Sequence, residues 1–75
     1  MQKIVNGLLY DTSKSENIYV DYETNRRIFK TKKRNYFLLY PNGEIVPKEE
    51  EEIKEYIGSR DTKKYIELFG TVEEA

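Results

Sequence analysis

The chain contains neither cysteine nor histidine, and each absence excludes a class of site. Without cysteine it can form neither disulfides nor thiolate metal sites. Without histidine it lacks the side chain that most often serves as a general base and as a metal ligand. The sequence therefore predicts no cofactor and no bound metal, and we expect the stability to come from packing alone.

Glycine and long apolar segments are also scarce. The four glycines lie far apart, so no glycine-rich loop is present to cradle a phosphate group. No stretch approaches the ~20 apolar residues that a membrane-spanning helix needs, and the N-terminus lacks the apolar run of a signal peptide. We therefore expect no membrane partner and a cytoplasmic location. Asp11, Asp21 and Asp61 are scattered at turn or cap positions, so we expect the protein not to be an enzyme.

Tyrosine and charge are abundant. The 75 residues suffice for a single domain, 1–75, with a small core, and we expect residues 71–75 to fray. Seven tyrosines and three phenylalanines supply the bulk of that core, since each ring buries a large area. The tyrosines have two interpretations. Some lie at an interface, most simply that of a symmetric homodimer, or they line the edge of the core with their hydroxyls in water.

Alternating apolar and polar residues predict a small antiparallel β-meander of three or four strands. The predicted extended segments are 3–10, 17–22, 27–31, 36–40 and 44–46. Gly7 is expected to form a bulge inside the first of them. Segments 27–31 and 36–40 are expected to pair as a hairpin, and Asn42-Gly43 is expected to form a type I′ turn before the last segment.

Two short helices are predicted after the strands, which together make an α+β domain. Pro47 is expected to end the last strand and to begin the first helix, 48–57, because the first turn of a helix tolerates a missing N–H. Gly58 is expected to follow this helix as its C′ residue. The second helix is expected at 62–69, with its apolar side chains turned inward.

Charge divides the chain into two parts. Residues 1–43 hold 8 Lys/Arg and 4 Asp/Glu, whereas residues 44–75 hold 5 and 10. The positive charge is concentrated in residues 26–34, R-R-I-F-K-T-K-K-R, which contain six cations and no anion. The negative charge is concentrated in the glutamate run 49–52. This asymmetry predicts a surface that meets an anionic or acidic partner.

The basic hairpin is the first candidate site. The predicted partner-binding residues are Arg26, Arg27, Lys30, Lys32, Lys33, Arg34, Tyr36 and Tyr40. In one interpretation the cations contact phosphates while Tyr36 or Phe29 stacks on bases. In a second they contact an acidic protein or a nucleotide, and in a third they are solvated residues that protect a sheet edge from aggregation. The acidic pI of about 5.5 counts against nucleic acid.

The glutamate run is the second candidate surface, formed by Glu49, Glu50 and Glu52. In a functional interpretation these acids mimic the charge of nucleic acid and occupy a basic groove on a partner. In a structural one they stabilise the start of a helix through its dipole. Metal binding is not expected, because successive carboxylates on a helix point in different directions and no calcium-loop spacing is present.

Three stretches carry a resemblance to a known group. Residues 7–12 read G-L-L-Y-D-T, residues 30–37 read K-T-K-K-R-N-Y-F, and residues 65–70 read Y-I-E-L-F-G. Together they resemble a family of small uncharacterised proteins of phages and integrative mobile elements of Gram-positive bacteria. The resemblance spans nearly the whole chain and implies no enzyme activity. It implies an accessory gene of a mobile element, a setting in which small acidic proteins often inhibit host defences.

This chain departs from the group at one position. The group usually has Gly where this chain has Arg34, in the loop of the basic hairpin. Gly suits a left-handed backbone better than a residue with a side chain does. Either the turn differs here, or Arg34 tolerates a strained backbone.

The sequence thus predicts a non-catalytic accessory protein that binds and occludes a macromolecular partner. A host defence protein is the expected partner, as for an anti-CRISPR inhibitor, and a protein is expected rather than nucleic acid. The alternative is a small nucleic-acid or nucleotide-binding protein that uses the basic hairpin. A third hypothesis is an oligomer-forming element of a larger assembly.

Overall fold

A four-stranded antiparallel sheet organises the fold, with a second hairpin on one face and two helices on the other. The computed structural model describes all 75 residues. The elements are β1 Gln2–Val5, β2 Leu8–Asp11, a 3-10 turn Thr12–Lys14, β3 Glu16–Asp21, β4 Arg26–Lys30, β5 Tyr36–Leu39, β6 Ile45–Lys48, α1 Glu50–Arg60 and α2 Thr62–Phe69. β1 pairs with β2, and the other strands follow the order β3-β4-β5-β6. The predicted α+β class is confirmed.

Alternation along β4 and β5 gives the sheet two apolar faces. Ile28 lies opposite Leu38, and both are buried in the cluster that contains Ile53 of α1. Phe29 lies opposite Phe37, and their rings stack on the other face with 5.1 Å between centroids, in the cluster beneath the β1–β2 hairpin. Because neighbouring side chains of a strand point to opposite faces, one central strand pair serves both halves of the core.

The prediction of one strand over residues 3–10 is wrong, because this segment is a hairpin. β1 and β2 pair with Val5 opposite Leu8, around the two-residue turn Asn6-Gly7. Both turn residues have positive φ, 51° and 77°, as a type I′ turn requires. Apolar residues continue on both sides of the turn, so the periodicity resembles a single strand with a bulge at Gly7.

The hairpin between β5 and β6 forms as predicted, but its turn is not of type I′. The N–H of Gly43 donates to the carbonyl of Tyr40 at 2.9 Å, which closes a turn with Pro41 in its second position. The proline ring fixes φ near −65°, whereas type I′ needs positive φ at both central residues. Gly43 alone takes a positive φ in this turn, 89°.

The predicted boundaries of the first helix are wrong at both ends. Pro47 lies inside β6, opposite Phe37. β6 is an edge strand, where a proline can sit without removing a bond from the ladder. The helix begins at Glu50 instead and continues through Gly58 to Arg60. Gly58 lies inside the helix, where it faces the Tyr65 ring of α2, and it does not end the helix.

The second helix is confirmed at Thr62–Phe69. Asp61 caps it by accepting a hydrogen bond from the Lys64 N–H at 3.0 Å, and Gly70 ends it with a φ of 99°. Residues 71–75 follow outside any helix or strand and are exposed. Neither helix has the length and apolar character required to cross a membrane.

Six of the seven tyrosines pack within the single chain. Tyr10 and Tyr36 are buried, with 7% and 3% of their surface exposed. Four more pack against the helix-side cluster: Tyr19, Tyr40, Tyr56 and Tyr65. Tyr22, at 84% exposure, is the exception. Core packing therefore accounts for most of the tyrosines, and their number does not by itself indicate a homodimer.

Candidate functional site

The basic hairpin consists of β4, β5 and the loop between them, and its cations are divided between the two ends of β4. Arg26 and Arg27 begin the strand, Lys30 ends it, and residues 32–34 belong to the loop. At about 3.3 Å per residue, the two ends of this strand lie roughly 13 Å apart. The six cations are therefore two groups and not one continuous stripe.

The two arginines at the start of β4 have different surroundings. The guanidinium of Arg26 lies 4.7 Å from the centroid of the Tyr40 ring, a cation–π contact that half-buries both side chains. Arg27 is exposed and lies in register between Val20 and Leu39 on the sheet. Tyr40 thus acts mainly as a support for Arg26, whereas Arg27 is open to a partner.

The loop between β4 and β5 presents three exposed cations, Lys32, Lys33 and Arg34. Two hydrogen bonds tighten it: the Arg34 N–H donates to the Thr31 carbonyl, and the Asn35 N–H donates to Thr31 Oγ1, each at 3.0 Å. Arg34 has a φ of 66°, in the left-handed region. Of the two alternatives that the sequence left open, the structure has the strained one.

Tyr36 connects this end of β4 to the start of α1. It lies opposite Lys30, whose Nζ is 5.9 Å from the ring centroid, and opposite Lys48 on its other side. Its hydroxyl donates to Glu50 Oε2 at 3.3 Å. Burial raises the pKa of Tyr36, and the charge of Glu50 raises it further, so the phenol remains a neutral donor. Tyr36 and Phe29 are both buried, which leaves neither ring open to stack on a base.

The acids of the second candidate surface have local roles in α1. Glu50 lies 3.7 Å from Lys54, and Glu52 lies 3.4 Å from Lys48, each at i,i+4 spacing. Glu49 is the N-cap residue, and its side chain makes no capping hydrogen bond. Two of the three predicted acids are therefore paired within the chain, as the structural interpretation expects.

The cations of the basic hairpin form no salt bridge, whereas most cations of the acidic residues 44–75 do. The cations with a salt-bridge partner are Lys48, Lys54, Arg60 and Lys64. Glu16 lies opposite Lys30 in the sheet, but the two side chains do not form an ion pair. Unpaired surface cations keep their charge available to a ligand.

A groove of about 360 Å³ lies between β2 and the loop, and it adds a cation to the site. Lys14 lines it together with Lys32 and Lys33. The turn that carries Lys14 is capped by Asp11, whose Oδ1 accepts from the Ser13 N–H at 2.9 Å. Sequence reasoning missed Lys14, because only the tertiary path of the chain brings it near the loop. We call Lys14, Lys30, Lys32, Lys33 and Arg34 the basic end.

A polar cluster of Asp21, Tyr56 and Arg60 connects α1 to β3 of the sheet. The Tyr56 hydroxyl donates to Asp21 Oδ2, and Arg60 Nε lies 3.1 Å from the same oxygen while its guanidinium stacks 4.0 Å above the Tyr56 ring. The other oxygen of Asp21 accepts from the Glu23 N–H at 3.1 Å. The hydrogen bond from Tyr56 lowers the pKa of Asp21. With these partners the buried carboxylate is satisfied within the fold, so the cluster is structural.

The chain brings together no group of three or more acidic side chains that could hold a metal ion. In comparisons with known proteins, no family model, no curated protein and no solved structure matches it. The geometry of the site and the three sequence motifs are therefore the features that bear on function.

Proposed function

We propose that this protein is a non-catalytic accessory protein of a phage or mobile element that binds an acidic surface of a host protein and occludes it. The observation that carries the proposal is the set of unpaired cations at the basic end. The resemblance to mobile-element proteins supplies the setting. In that setting the partner is a cytoplasmic defence protein, and the action is inhibition in the manner of an anti-CRISPR protein.

The position of the glutamates favours a protein partner over nucleic acid. The first turn of α1 lies beside the basic end, joined to it through the Tyr36–Glu50 hydrogen bond. A phosphate backbone is uniformly negative and would be repelled by these acids. A protein surface can place carboxylates opposite the cations and its own cations opposite the glutamates. The mixed charge at this end of the molecule thus suits a partner of mixed charge.

Affinity capture with two charge-reversed variants tests the proposal. The tagged protein is incubated with a nuclease-treated lysate of a Gram-positive bacterium, and the captured proteins are quantified by mass spectrometry. The test variant is Lys32→Glu with Lys33→Glu. The matched control is Lys63→Glu with Lys64→Glu, an adjacent lysine pair on α2 whose single surface ion pair contributes little to stability.

The proposal predicts that the wild type and the α2 control capture the same host protein and that the loop variant loses it. Equal capture by the two variants would contradict a role for the basic end. Capture from an untreated lysate that disappears when the lysate is treated with nuclease would contradict a protein partner.

The unpaired cations also support a second candidate, a nucleic-acid-binding protein. Fluorescence anisotropy with single-stranded DNA and RNA oligonucleotides separates the two. Phosphate binding would weaken steeply between about 50 and 200 mM salt, and Lys32→Ala or Lys33→Ala would reduce the slope. The occlusion proposal predicts no saturable binding to either oligonucleotide at the higher salt concentration.

A further inference from the structure

β2 has an unpaired edge, and the groove at the basic end runs along this strand. β2 pairs with β1 and has no second neighbouring strand. In a hairpin closed by a two-residue turn, the pairs Val5–Leu8 and Lys3–Tyr10 exchange hydrogen bonds, so the N–H and C=O of Leu9 point away from β1. Residues 7–11 all line the groove, which places a free strand edge along it.

The side chains of the groove combine apolar surface with positive charge. Leu8 and Leu9 are 44% and 48% exposed, large fractions for leucine. Lys14, Lys32 and Lys33 line the same groove, and none of them forms an ion pair. The acid among the lining residues, Asp11, accepts hydrogen bonds from the backbone and hydroxyl of Ser13 at 2.9 and 2.8 Å. The groove is therefore cationic and partly apolar.

We infer that this groove receives an extended acidic segment of the partner protein, which adds to β2 as a third strand. The inference rests on the proposed function, since it names the part of the partner that the basic end recognises. In strand addition, main-chain hydrogen bonds supply affinity and alternate side chains supply specificity. Because neighbouring side chains of a strand point to opposite faces, acidic side chains on one face of the segment meet the lysines, and apolar side chains on its other face cover one of the two leucines.

The size of the groove agrees with this occupant. Its volume of about 360 Å³ suits a short segment and not a folded domain, because ligand pockets fall in the range of ~300–1,000 Å³. Lysine beside an open edge also has a protective effect, since it discourages pairing with other strands in general. An acidic strand is the kind of strand that these lysines attract.

A synthetic peptide tests the strand directly. The probe is a capped hexapeptide of alternating Glu and Val, titrated into the ¹⁵N-labelled protein and followed by NMR. We expect shifts confined to residues 7–15 and 31–35, and slower hydrogen exchange at the Leu9 amide. A peptide with N-methyl groups at alternate residues cannot form the ladder and is expected to bind about ten-fold more weakly.

Three results would overturn the inference. The first is no shift at millimolar peptide, which would mean that the lysines only protect the edge. The second is equal binding of the N-methylated peptide, which would exclude strand addition. The third is the same set of shifts with inorganic phosphate at equal ionic strength and none further with the peptide, which would indicate a simple anion site.

Lys14→Glu separates this inference from the proposed function. Lys14 is exposed and lies outside the β4–β5 hairpin, and Lys63→Glu on α2 is the control. We expect Lys14→Glu to reduce both peptide affinity and host-protein capture about ten-fold, with the NMR spectrum showing an intact fold. If Lys32→Glu with Lys33→Glu abolishes capture while Lys14→Glu leaves it unchanged, the partner does not bind in the groove. The proposed function would then still stand.

Discussion

At the scale of single residues, Arg34 combines a left-handed backbone with the binding role proposed for its side chain. Its φ of 66° is left-handed, a conformation that costs a residue with a side chain roughly 1–2 kcal/mol. The structure shows no ion pair or side-chain hydrogen bond that would offset this cost. Strained backbone positions of this kind cluster at functional sites.

Two substitutions of Arg34 separate the effect of its backbone strain from the effect of its guanidinium. Arg34→Gly relieves the strain, and after the extra freedom of glycine in the unfolded chain is subtracted we expect a net gain of about 0.5–1 kcal/mol in the free energy of unfolding. Arg34→Ala keeps the strain but removes the guanidinium. In urea unfolding, Arg34→Gly should therefore have a higher free energy of unfolding than both the wild type and Arg34→Ala. In affinity capture, both variants should retain less of the host protein than the wild type does. A destabilised Arg34→Gly variant would show that the loop is not strained.

Asp21 and Tyr56 make stability depend on pH in a defined direction. The hydrogen bond from Tyr56 holds the pKa of Asp21 below its ordinary value of 3.8. A carboxyl whose pKa is lower in the folded state stabilises that state above pH 3.8, and the contribution is lost as the pH falls through the folded pKa. We therefore expect Tyr56→Phe to be less stable than wild type at neutral pH, with the difference shrinking below pH 3.8.

Urea unfolding over a pH series measures this dependence, and Tyr22→Phe is the control because Tyr22 is 84% exposed. At neutral pH we expect Tyr56→Phe to lower the free energy of unfolding by about 1.5–3 kcal/mol, since a hydrogen bond to a charged group is lost. If the difference in free energy of unfolding between Tyr56→Phe and wild type stays constant across the pH series, the Tyr56 hydroxyl does not lower the pKa of Asp21.

At the scale of elements, the sequence predicts well those whose signals are local. α2 has an aspartate cap before it and a glycine after it, and the β4–β5 hairpin has two alternating segments around a polar loop. The strand predicted over residues 3–10 overlooks a local signal, the Asn6-Gly7 turn. The other two failures depend on neighbouring elements. Pro47 is acceptable in β6 because that strand is an edge, and Gly58 lies inside α1 beside the Tyr65 ring of α2. Neither fact can be read from the residues on either side.

Gly58→Ala tests the helix boundary. Glycine inside a helix is less favourable than alanine by roughly 0.5–1 kcal/mol. A Cβ at Gly58 would stand 3.4 Å from the nearest carbon of the Tyr65 ring, which is an ordinary contact. We therefore expect Gly58→Ala to raise the free energy of unfolding by about 0.5–1 kcal/mol.

Gly43→Ala is the contrasting variant. Gly43 has a φ of 89°, and its Cβ would stand 2.6 Å from the terminal methyl of Met1, so this change is expected to destabilise. If Gly58→Ala destabilises the protein to the same degree in urea unfolding, Gly58 is a true helix end and α1 ends before Arg60.

At the scale of the whole molecule, the arrangement of charge decides between the functions. The six cations could be predicted from the sequence because they are contiguous. Their division between the two ends of β4, and the addition of Lys14 to one end, could not. The proximity of the glutamates to the basic end also depends on the fold, since α1 begins beside Lys48, opposite Tyr36. These relations favour a protein partner of mixed charge.

The association rate with the captured host protein, measured against ionic strength, tests the central claim most directly. Charge at an interface rim acts mainly on the association rate and its salt dependence. We predict that the rate for the wild type falls as salt rises and that the α2 control, Lys63→Glu with Lys64→Glu, follows the same slope. Lys32→Glu with Lys33→Glu should lower the rate at low salt and flatten the slope. Equal rates and slopes for both double variants would contradict the claim that the basic end is the binding surface.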